Sequence, residues 1–144
     1  MALWYGDGKR SEKNFKDGRK DGVETFWYAN EEKEKEKNYA DGKADGLTTF
    51  WYENGQKMRE VNFKNGKKDG LETVWYENGQ KMSEKSYKNG ILDGVEVLWF
   101  ESGQKLSEKN YEDGVVVGET VWFEDGQKRM NDRSAPGLDE PQSP

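Results

Sequence analysis

The sequence predicts an all-β protein, an elongated antiparallel meander of stacked β-hairpins with about two strands in each 23–24-residue unit. Three observations carry this prediction. Trp recurs at 4, 27, 51, 75, 99 and 122, each time followed by Tyr or Phe. Asn-Gly or Asp-Gly pairs punctuate most units, and such pairs favour tight hairpin turns because they tolerate positive φ. The segments between the pairs, such as QKMREVNFK and KKDGLETVWYE, mix strand formers with charge and show neither helix caps nor a 3.6-residue period.

The units can be taken in order. Trp4 and Tyr5 open the first, which is one residue short, with Phe15 eleven residues on. The second departs most: WYANEEKE stands where its neighbours have WYENGQKM, so Glu31 replaces a turn glycine and Glu34 replaces a methionine. A Glu in a positive-φ turn position costs on the order of 1 kcal/mol. Residues Glu31, Glu32, Glu34 and Glu36 against Lys33, Lys35 and Lys37 are either a charged site or a solvated, decayed unit, and charge runs favour the second reading. The third and fourth units carry WYENGQKM at 51–58 and 75–82, and the fifth has WFESGQKL at 99–106. Their turn and strand glycines are Gly46, Gly55, Gly66, Gly70, Gly79, Gly90, Gly94 and Gly103. In the last unit Gly118 lies four rather than five residues before Trp122, and Arg129 takes the methionine position, where it would lie over an indole. The run Val115–Val117 breaks alternation and suggests a covered or dimerising segment. Residues 1–133 form one repeat domain, and residues 134–144, with three prolines, are expected to be disordered.

If Asn78-Gly79 is a two-residue type I′ turn, the register follows by counting. Trp75 faces Met82, Glu72 faces Lys85 and Gly70 faces Tyr87. The same count sets Glu96 opposite Lys109, Glu24 opposite Lys37, and Gly22, Gly46 and Gly94 opposite Tyr39, Phe63 and Tyr111. It also sets Glu34 opposite Trp27. Opposite charges, and aromatics over strand glycines, are favourable cross-strand pairs. By period two, Leu71, Thr73, Trp75 and Met82 share one face, and Glu72, Val74, Tyr76, Lys85 and Tyr87 the other. Both faces are half apolar and no helix covers either. The sheet must curl, dimerise, or leave an aromatic stripe for a partner.

The pattern G-x4-W-Y-E-N-G-Q-K-x5-Y-K-N-G-K-x-D-G resembles the bacterial variant of the MORN repeat. Residues 46–70 and 70–94 fit it most closely, and the likeness extends over about residues 4–130. The resemblance implies a meander of stacked hairpins that serves as a scaffold or interaction module, sometimes dimeric. Proteins built from this variant are often described as antitoxin or immunity components beside secreted toxins.

Composition narrows the function classes. Of 144 residues, 31% are hydrophobic, 36% charged and 13% aromatic, and the mean hydropathy is −1.25. The apolar area therefore sits in a few large side chains, which suits a thin sheet rather than a thick core. The net charge of −6 falls to −4 without Asp139 and Glu140 of the tail, so neither a nucleic acid nor an anionic membrane is an expected partner. There are no cysteines or histidines, which removes thiol chemistry and the usual zinc ligands. The carboxylates recur with the repeat beside turns and lysines, whereas a catalytic pair is unique in a chain. No phosphate loop or calcium loop is present.

The expectation is thus a non-enzyme without metal or cofactor, placed in the cytoplasm for want of a leader-like run. It would bind a protein, a toxin if the resemblance extends that far, or a second copy of itself as a homodimer. The candidate surface is Trp27, Trp51, Trp75, Trp99 and Trp122 with Met58, Met82 and Leu106, since such side chains on a rigid sheet anchor partners well. A self-assembling scaffold is the alternative. A glycan binder stacking sugar rings on Trp and Tyr is a further one.

Overall fold

The computed structural model describes residues 1–125, and within them the protein is all-β. Fourteen strands form in chain order. They are β1 (Ala2–Trp4), β2 (Arg10–Glu12), β3 (Phe15–Lys16), β4 (Arg19–Lys20), β5 (Gly22–Trp27), β6 (Lys33–Ala40), β7 (Lys43–Ala44), β8 (Gly46–Trp51), β9 (Lys57–Lys64), β10 (Lys67–Trp75), β11 (Lys81–Lys88), β12 (Ile91–Trp99), β13 (Lys105–Glu112) and β14 (Val115–Val121). One twelve-stranded antiparallel sheet runs β1-β2-β5-β6-β8-β9-β10-β11-β12-β13-β14, with β7 also paired to β6, and β3 and β4 form a separate two-stranded ribbon. Arg129 and the expected disordered tail lie outside the described residues.

Each unit uses two hairpin turns of different geometry. At the Lys-Asn-Gly turns both central residues have positive φ, 49° and 82° at Asn65 and Gly66 and 50° and 83° at Asn89 and Gly90, as type I′ requires. The Glu-Asn-Gly turns differ. There the glycine has positive φ (Gly79, 89°) and the asparagine does not. The Gly79 N–H donates to the Tyr76 carbonyl at 3.0 Å and the Tyr76 N–H to the Gln80 carbonyl at 2.8 Å, which closes a three-residue loop. The type I′ expectation therefore fails at this turn.

That extra loop residue shifts the strand ends by one. Trp75 pairs with Lys81, not Met82. A bulge then absorbs Met82, and Val74 pairs with Ser83 and Glu72 with Lys85 as counted. The loop and the bulge cancel, so the mid-strand register is the expected one although the strand ends are not. The same correction applies to Met58 and Leu106, since Trp51 pairs with Lys57 and Trp99 with Lys105. In the second unit Trp27 pairs with Lys33 rather than Glu34.

Gly70 does lie opposite Tyr87, Gly46 opposite Phe63 and Gly94 opposite Tyr111. The reason for glycine is stronger than room for a ring. Gly70 has φ of +100°, inside an irregularity where the ladder of β10 against β9 jumps between Lys68 and Glu72. A Cβ there would stand 3.4 Å from the Asn62 Cβ. The Asn62 side chain bridges the gap by donating to the Leu71 carbonyl at 3.2 Å. In the last unit, one residue shorter before its Trp, the corresponding jump is a single residue between Asn110 and Tyr111.

The stack is held by bonds from one unit to the next. The Gly66 N–H donates to the Ala44 carbonyl at 2.8 Å and the Gly90 N–H to the Lys68 carbonyl at 2.7 Å. Asp69 Oδ2 accepts from the Asn89 N–H at 3.3 Å, as Asp45 does from Asn65. Asp21 does the same for Asp41, so each of these three aspartates caps the next unit's turn.

The sheet is a single layer. Substantial contacts join only strands that are ladder neighbours, and among the described residues the only hydrophobic side chain buried below the surface is Val61, 1% exposed. Burial comes instead from charged and hydroxyl side chains packed side by side, among them Glu72, Glu96, Thr49 and Thr73. A row of cross-strand neighbours crosses the middle of one face: Thr48–Val61–Glu72–Lys85–Glu96–Lys109–Glu119. Beyond Thr48 and Val61, acids and lysines alternate strand by strand. Glu72, 8% exposed at its side chain, is held by Lys68 at 3.1 Å and by Arg59, whose Nε donates at 2.6 Å. Burial by itself raises the Glu72 pKa, but these two cations outweigh it and hold the carboxyl below the usual range. The Tyr87 hydroxyl is pushed up, first by burial and then by the adjacent Glu72.

Candidate binding face

The tryptophans project from the face opposite to that row. Alternation along β10 puts Trp75 with Thr73 and Leu71, while Val74 and Glu72 point the other way. Register carries this across the sheet, so that Trp27, Trp51, Trp75 and Trp99 form one column spaced by two strands. Leu71, 47% exposed, and Val95, 41% exposed, form a second column on the same face.

A cation stands between each pair of indoles. Lys33 Nζ lies 5.7 Å from the Trp51 ring centre, Lys57 5.9 Å from Trp75, Lys81 5.8 Å from Trp99 and Lys105 5.7 Å from Trp122. Each lysine belongs to the hairpin before the indole it covers, so the contact joins successive units. A glutamate three residues on holds the ammonium in place: Glu36 at 2.8 Å, Glu60 at 2.7 Å, Glu84 at 2.8 Å and Glu108 at 3.3 Å. At the N-terminal end Arg10 replaces lysine, its guanidinium 4.0 Å from the Trp27 ring and 5.3 Å from Trp4.

Between consecutive tryptophans the face opens into shallow grooves. One of about 360 Å3 is lined by Trp75, Gly79, Gln80, Lys81, Trp99 and Gly103. The equivalent one in the second unit is lined by Trp27, Glu31, Glu32, Lys33, Trp51 and Gly55. Met82 and Leu106 do not line the first groove, nor Met58 the second. The five tryptophans named from the sequence thus lie on one face, but the methionines and Leu106 sit at bulges beside that column. The lysines and glutamates between the rings were missed. A signal for them existed: Lys33, Lys57, Lys81 and Lys105 recur at one place in the unit, while the next position varies among Glu, Met and Leu. The constant residue is the one that faces the indole.

The tyrosines after each Trp serve the stack from the other face. The Tyr28 hydroxyl donates to the Trp51 carbonyl at 2.6 Å, Tyr52 to Trp75 at 2.7 Å and Tyr76 to Trp99 at 2.8 Å. Burial pushes the Tyr28 and Tyr52 pKa values up, with Glu34 and Glu53 adding to it at Tyr28 and Glu77 at Tyr52.

In the deviant second unit, Glu31 adopts φ of +72° and its N–H donates to the Tyr28 carbonyl, so the loop keeps its neighbours' shape without glycine. Glu36 pairs with Lys33 as Glu60, Glu84 and Glu108 pair with Lys57, Lys81 and Lys105. The charge run is thus largely the ordinary unit with a substituted turn. At the other end, Val115, Val116 and Val117 are 64%, 41% and 50% exposed, so no described element covers them. Among the described residues no cluster of acidic side chains could hold a metal ion, and no helix is long and apolar enough to cross a membrane.

Residues 44–65, 68–89 and 92–113 each match the family model of the MORN repeat variant. Three units of this chain are thus similar to the MORN repeat variant. Each matched stretch runs from just before an Asp-Gly bulge, through its Trp and the Glu-Asn-Gly or Glu-Ser-Gly loop, to the next type I′ turn, so the matched unit coincides with the structural hairpin pair. No curated protein matches the chain. The family match supports a repeat protein with a binding or scaffold role.

Proposed function

We propose that the chain is a non-catalytic protein-binding module of antitoxin or immunity type, and that its partner docks on the tryptophan column. The observation that carries this is the repetition, in the second to fifth units, of an indole, a lysine and a glutamate on one open face. Such a face combines aromatic anchors with ion pairs already formed, so a partner need not order long side chains on binding. The opposite face uses its tyrosine hydroxyls and central charges to join units, which leaves it less to offer.

The test is a pull-down from the source cell's lysate with the tagged chain and, beside it, a folded Trp51/Trp75/Trp99→Ala variant. One dominant, stoichiometric protein lost in the variant supports the reading. Recovery of the chain alone counts against it and favours self-assembly, for which the exposed Val115–Val117 run on β14 is the specific observation.

A further inference from the structure

We infer that the tryptophan column is built to take a polyproline II segment laid across the strands, one helical turn to each repeat unit. This rests on the proposed protein-binding role and names the kind of segment bound.

The first support is spacing. Successive tryptophans are two strands apart, and neighbouring strands lie about 4.7–4.9 Å apart, so the grooves repeat every 9.4–9.8 Å or so. A polyproline II helix rises about 3.1 Å per residue with three residues per turn, or about 9.3 Å. Every third residue of such a segment therefore meets an equivalent groove. A β-strand, at about 3.3 Å per residue and period two, falls out of step within one unit.

The second is hydrogen bonding. Polyproline II makes no internal hydrogen bonds, so its carbonyls need donors. Trp75 and Trp99 are half-buried, and the bonds described at them go to their backbone carbonyls. Among the described residues their indole N–H groups make no hydrogen bond, and both residues line the groove. The Gln80 side chain, beside Gly103 on the groove floor, offers a further donor.

The third concerns the ring faces. Trp51, Trp75, Trp99 and Trp122 each carry a lysine ammonium 5.7–5.9 Å from the ring centre. That contact occupies a ring face that a stacked sugar would need, whereas a proline ring packed into the groove with its carbonyl on the N–H does not displace it. Sheet twist of about 20–25° per strand turns successive grooves away from one another, so a straight segment engages only two or three of them.

The experiment titrates the full chain with capped (Pro-Pro-Ala)n peptides of six, nine and twelve residues, following tryptophan emission, with (Gly-Ser-Ala)n peptides and cello-oligosaccharides in parallel. The expected result is saturable binding of the proline peptides. Affinity rises from six to nine residues and then levels, and the Gly-Ser peptides bind at least about tenfold more weakly because they must be ordered. Trp75→Phe and Trp99→Phe keep the aromatic plane and remove the donor, and each weakens binding about two- to tenfold. No saturable response to any proline peptide, an equal response to Gly-Ser peptides, or binding of the sugars alone overturns the inference. Should a variant fail to fold, the length series on the unaltered chain still decides. If the proline peptides fail while the pull-down returns a tryptophan-dependent partner, this inference falls and the protein-binding role stands.

Discussion

The Tyr76 hydroxyl donates to the Trp99 carbonyl at 2.8 Å, so the residue after one unit's tryptophan fixes the backbone of the next. Tyr76→Phe removes the donor and leaves a partly buried carbonyl unmatched, at a cost of about 0.5–1.5 kcal/mol. Position 100 already carries Phe in the following unit. Phe100→Tyr is therefore expected to stabilise the junction with Trp122 by a similar amount. Urea denaturation of both variants checks the opposite signs.

Glu31 is an αL residue where the other units have glycine. Glu31→Gly is expected to gain about 1 kcal/mol by removing the Cβ from a left-handed conformation. Gly79→Ala imposes the same conformation on a residue with a Cβ and is expected to lose as much. Thermal melts of the pair test this. A fall in stability for Glu31→Gly would mean that the Glu31 side chain holds the loop by a contact worth more than the strain.

Thr48 and Val61 occupy a cross-strand pair that is Glu96 and Lys109 two units on. Val61→Lys puts an ammonium at a site 1% exposed, next to a Glu72 already held by two cations. It is expected to cost on the order of 2–3 kcal/mol. Adding Thr48→Glu supplies a partner, and the double-mutant cycle should show favourable coupling of about 1 kcal/mol or more. Additive losses would mean that the acid–lysine alternation is not a cooperative feature of the sheet.

The pH dependence follows from Glu72. Its folded pKa lies below the ordinary 4.5, because Arg59 and Lys68 outweigh its burial. The native state then binds fewer protons than the unfolded chain. The resulting stabilisation is complete above the ordinary value and is lost as pH falls through the lower folded one. Glu72→Gln should be less stable at neutral pH yet lose less on acidification below about pH 4.5. Parallel curves for the two proteins in that window would show that Glu72 is not a source of the acid sensitivity.

Much of this was legible in the sequence because a 24-residue period leaves few ways to arrange hairpins. The tryptophan column, the Gly70–Tyr87 and Glu72–Lys85 pairs and the second unit's departure could all be read from spacing. The turn geometry could not. Asn-Gly serves a type I′ turn at Asn65-Gly66 and a three-residue loop at Asn78-Gly79, and what separates them is which backbone groups close the loop. Because a bulge at Met82 cancels the longer loop, the error stayed hidden mid-strand and surfaced only at the strand ends. There it exchanged methionine for lysine opposite the indole. The lysine–indole contacts between units then followed from a side-chain reach that no pairing count contains.

The central claim is that the partner lies on the tryptophan face. The most direct measurement is hydroxyl-radical footprinting of the captured complex against the free chain. Protection of Trp51, Trp75, Trp99 and Leu71, with Phe50 and Tyr87 on the opposite face unchanged, is the result expected. Protection of Phe50 and Tyr87 with the tryptophans left as reactive as in the free chain would contradict it.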